Sequence, residues 1–120
     1  MARQLLNPEI DLIKQAVLLA VDKLRGKPLD ALRGIQEALE QLGGDNAQQR
    51  EYAQWIVRLA IEAFRKRLRE VDDLHELDKC AAMLERCAEA DAHLRQSMPV
   101  ALCFEALFDH FARIERNAIT

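Results

Sequence analysis

The chain has 120 residues, half of them apolar, and a formal net charge of −3. That length can bury one core without staples, that composition excludes a disordered tail, and that charge lacks the basic footprint of a nucleic-acid binder. The longest apolar run, Ala16 to Val21, falls far short of the about 20 residues that a membrane span needs.

Every long segment carries helical periodicity, and none alternates as a strand would. Ile10, Ile13, Val17, Ala20 and Leu24 recur at three- and four-residue steps and form one helical stripe. Leu12, Leu18 and Leu19 give this first helix a second apolar face, with Pro8 suited to its start and Gly26 to its end. The second helix opens on Pro28, carries Leu29, Leu32, Ile35, Leu39 and Leu42, and stops at Gly43-Gly44. The third begins at Asp45 or Asn46, whose side chains accept from unpaired backbone amides, and runs towards Val71. Its inner face reads Tyr52, Trp55, Ile56, Leu59 and Ala63, widened by Val57, Ile61, Phe64 and Leu68.

The fourth helix follows Asp72-Asp73 and shows Leu77, Cys80, Leu84, Cys87 and Leu94. The fifth begins around Ser97 to Pro99 and shows Val100, Cys103, Leu107, Phe111 and Ile114, flanked by Phe104 and Phe108. No linker or repeat divides the chain, so residues 1–120 read as one all-α domain, a five-helix bundle. Helices one, three and five are apolar over more than the stripe a surface helix needs, and a five-helix bundle does not readily bury three such helices. Part of that surface is expected to meet another chain.

No chemistry-bearing constellation stands out. Cys80 and Cys87 lie seven residues apart on one helix face, and a zinc site would have to recruit His75, His93 or Cys103. Zinc sites show close ligand pairs such as Cys-x-x-Cys, and none occurs here, so these cysteines read as core residues. An odd count of three cysteines, with no paired framework and no cleavable signal at Met1 to Leu6, points to a reducing, cytoplasmic setting. His110 lies near Glu105, Asp109 and Arg113, a cluster that reads as a solvated helix face rather than an acid–base pair.

Arg65-Lys66-Arg67-Leu68-Arg69 is the one basic cluster. It falls at a helix C-terminus, where cations are favoured, and Glu70, Asp72, Asp73 and Glu76 cancel its field. There is no phosphate-binding Gly-x-x-x-x-Gly-Lys-[Ser/Thr] loop, no Glu-x-x-His pair of ferritin type, and no interleaving of basic residues around Trp55. The expectation is a domain without catalytic residues, cofactor or metal.

Three stretches carry a resemblance. They are Leu84-Glu85-Arg86-Cys87-Ala88-Glu89-Ala90-Asp91-Ala92-His93-Leu94, the turn at Arg95 to Pro99, and Leu102-x-x-Glu105-Ala106-Leu107-Phe108. Together they resemble the C-terminal domain of bacterial DNA polymerase III δ′ subunits, where a Leu/Glu/Ala helix meets an Asn-x-Asn turn and a Leu-x-Leu-Glu-x-Leu-Leu helix. Upstream, Tyr52 to Ala60 is similar to that family's Trp-Leu-x-x-Leu-Leu helix, so the likeness touches roughly half the chain. Ser97 and Pro99 stand where the family has its two asparagines, and Cys103-Phe104 replaces two aliphatic positions.

The resemblance implies the helical collar domain of an ATP-driven clamp loader, with ATPase-like domains N-terminal to it and outside this chain. Its partners would be the γ/τ-type and δ subunits, its part would be structural, and it would touch neither DNA nor membrane. The expected contact surface is the fifth helix and the turn before it, chiefly Met98, Leu102, Glu105 and Phe108. The alternative is a stand-alone helical adaptor or regulatory module, self-associating or binding a partner helix in a groove. A small helical enzyme or metal-binding bundle is a third and lesser reading.

Overall fold

A computed structural model describes residues 7–119. They form five helices: α1 Asn7–Lys23, α2 Pro28–Leu42, α3 Asn46–Glu70, α4 Leu74–Arg95 and α5 Val100–Ile119. Among the described residues there is no strand. The all-α bundle expected from the periodicity is the fold.

Local chemistry sets the helix ends. Pro28 occupies the first position of α2, where its missing N–H costs nothing. At the other end the Gly43 amide donates to the Leu39 carbonyl, and Gly43 and Gly44 sit at φ 66° and 88°. A Cβ on Gly44 would come within 2.6 Å of the Gln48 side chain, so this turn needs glycine for space as well as conformation. Asp45 then caps α3. Its Oδ1 accepts from the Gln48 amide at 2.8 Å, while Gln48 Oε1 accepts from the Asp45 amide at 2.9 Å. That reciprocal pair satisfies two orphan donors at once. Asp73 caps α4 by accepting from the His75 amide.

The α4–α5 turn is closed differently. Ser97 stands at φ 69°, its amide faces the Leu94 carbonyl, and the Met98 amide donates to His93 O at 3.1 Å. This is the left-handed helix stop that glycine usually fills, made here with serine. Pro99 follows at once and prevents any continuation of α4.

Successive helices run up and down, and their neighbours form a closed ring in the order α1, α2, α5, α4, α3. An odd ring of alternating helices must contain one parallel pair, and here it is α1 with α3. Tyr52, early in α3, donates its hydroxyl to Glu9, early in α1. The interior is filled by Ile13 and Val17 of α1, Ile35 and Leu39 of α2, and Ile56, Val57 and Phe64 of α3. Met83, Cys87 and Leu94 of α4 join Phe104, Leu107, Phe108 and Phe111 of α5. Phe111 meets Phe64 and Phe108 edge to face, with ring centres 5.8 and 5.3 Å apart. Such pairs add about 0.5–1.5 kcal/mol beyond the area they bury.

Candidate interaction surface

The four residues expected to form one contact face do not share one. Phe108 is only 6% exposed and belongs to the core, and Met98 is half-buried against it. Leu102, at 55% exposure, and Glu105 point outward. The helical register explains the split. Phe104, Phe108, Phe111 and Glu115 follow at three- and four-residue steps along the inner stripe of α5, whereas Leu102 and Glu105 are displaced to the outer side. A contact on α5 would therefore be made by Leu102 and Glu105, with Phe108 behind them.

The excess of apolar helix surface resolves unevenly. The wide face of α3 is used inside the molecule: Trp55, Leu59, Ile61 and Ala63 pack half-buried against the core. The phenylalanines of α5 are buried too. On α1, the core stripe of Ile13, Val17, Ala20 and Val21 leaves Leu18 and Leu19 outside it, 62% and 57% exposed. Because adjacent residues on a helix lie about 100° apart, the two leucines do not share one stripe of α1. Leu18 shares its side with Lys14 and Asp22. Leu19 joins Leu12 along a groove of about 200 Å³ between α1 and α2, with Ala16, Ala31 and Ala38 deeper in it and Glu37 on its far wall. Leu29 and Leu74, at the starts of α2 and α4, are also exposed.

A second and larger groove, of about 560 Å³, opens at the end of the bundle where α2 and α4 finish and α3 and α5 begin. Leu39, Pro99, Val100 and Phe104 supply its apolar part, and Glu40, Gln49 and Arg50 its polar part. Arg50 is committed to structure, since its guanidinium donates to the carbonyls of Leu94 at 2.8 Å and Met98 at 2.9 Å. Gln49 similarly donates to the carbonyls of Leu39 and Gly43 at the end of α2. Sequence reasoning missed both roles, because a side chain serving distant backbone carbonyls leaves no local spacing to find.

Cys80, Cys87 and Cys103 are all buried. Burial pushes the Cys87 thiol up to about 12. Burial also raises Cys80 and Cys103, partly offset by Arg67 near the first and Arg50 near the second. A thiol held protonated is a poor nucleophile and a poor metal ligand. Cys103 donates its S–H to the Ala90 carbonyl at 3.4 Å. His93 and His110 line a small pocket between α4 and α5 beside Cys103, Arg86 and Glu89, while His75 is exposed at the start of α4. Among the described residues no three His, Cys, Asp or Glu side chains gather as a metal site.

Asp109 pairs with Arg113 at 3.1 Å, both more than half exposed, and Arg65 pairs with Glu62 at 3.0 Å in the same manner. These ion pairs lie on solvated helix faces, whereas His110 and Arg67 are half-buried. No helix of the described residues is long and apolar enough to cross a membrane. No protein-family model, curated protein or solved structure matches this chain.

Proposed function

We propose that this chain is a helical assembly module, a domain whose work is to hold other proteins in place, and that its sharper identity is a clamp-loader collar domain of δ′ type. The observation that carries the first statement is the pair Leu18 and Leu19. They stand outside a core stripe that is already filled by other residues of the same helix. Burying a leucine is worth about 1.5–3 kcal/mol, so two exposed leucines on one helix, one of them lining a groove, favour a protein contact.

The sharper identity rests on the resemblance of Leu84 to Phe108, and one feature of the turn supports it. Ser97 occupies the first of the two positions at which that family has asparagine. Its φ of 69° is a backbone state that asparagine adopts with less strain than serine. In this reading the ring of five helices packs beside the corresponding domains of γ/τ-type and δ subunits and fixes their order, while ATP-driven chemistry belongs to other domains.

The open groove between α1 and α2 favours the second reading, a stand-alone adaptor that seats a partner helix against Leu12 and Leu19. One experiment separates the two. The tagged chain is mixed with the clamp-loader subunits from the same source, and retained proteins are identified by mass spectrometry. Retention of γ/τ-type or δ subunits is expected. If the folded chain retains none of them, the collar identity fails and the adaptor reading takes its place.

A further inference from the structure

We draw no further inference here: the strongest candidate, the open groove between α1 and α2 beneath Leu12 and Leu19, belongs to the surface already proposed, and nothing in the structure shows what covers it.

Discussion

Lys79 on α4 and Glu115 on α5 form an ion pair of 2.8 Å at the end of the bundle where α1, α3 and α5 finish, and each side chain is only 11% exposed. Glu76 lies 4.0 Å from the same ammonium and 3.4 Å from Arg25 in the α1–α2 turn. The four charges thus run from one side of the ring to the other. Lys79 and Glu115 are sheltered, whereas Arg25 is 58% exposed and its contact with Glu76 adds little.

Removing one partner of the sheltered pair leaves a charge with little solvent to receive it. Glu115→Ala is expected to destabilise the fold by about 3 kcal/mol, the lower end for an uncompensated buried charge, because Glu76 remains near Lys79. The double variant Lys79→Met with Glu115→Leu is expected to recover most of that loss, since well-packed apolar residues often replace a buried pair without penalty. Urea unfolding midpoints of the original chain and the two variants measure both effects. A single variant as stable as the original chain would show that the pair contributes nothing.

The α4–α5 turn offers the opposite kind of change. Ser97 holds φ 69° with a Cβ, and glycine removes the steric cost of that conformation. Ser97→Gly is expected to raise stability by about 0.5–1 kcal/mol, after allowing for the greater freedom glycine gives the unfolded chain. Ser97→Asn should gain part of that amount. Thermal unfolding reads the difference, and a lower midpoint for both variants would contradict the left-handed assignment.

Helix boundaries were legible in this sequence because they are written in short-range chemistry. Pro28, Gly43-Gly44, Asp45 and Asp73 each act on backbone groups within a few residues, and each is found at the helix end it was expected to mark. Cys80 and Cys87 were legible as core because they fall in the stripe of α4. Phe108 belongs to the inner register and not to the expected contact surface, since periodicity shows that a helix is apolar without showing which flank a neighbour covers. The Lys79–Glu115 pair and the clamp of Arg50 on the Leu94 and Met98 carbonyls depend on how the ring closes, and nothing local in the sequence encodes them.

The buried thiol of Cys87 makes stability depend on alkaline pH. The folded chain holds this proton up to about 12, whereas an exposed thiol releases it near 9.0. Between those values the unfolded state binds fewer protons than the folded one, so stability falls as pH rises. Below that window the contribution is complete and does not vary. Unfolding midpoints of the original chain and of Cys87→Ala, followed through the window, should decline more steeply for the original. Parallel declines would mean that Cys87 ionises without unfolding. A thiol reagent such as Ellman's, applied at neutral pH, should react with Cys87 only on unfolding.

Leu18 and Leu19 separate the demands of the fold from those of a partner. Both side chains are more than half exposed, so Leu18→Lys with Leu19→Lys should alter stability by only about 0.5 kcal/mol per site. Ile13→Ala, earlier on the same helix and 1% exposed, should cost about 2–5 kcal/mol. If α1 carries the contact, the double lysine variant folds as before and loses its partner in the retention experiment. Retention that survives both lysines but fails in Leu102→Lys would move the contact to the outer face of α5, where Glu105 is its nearest polar neighbour along the helix. Because each of these leucines lies outside the core stripe of its helix, a loss of binding here reports on the contact rather than on the fold.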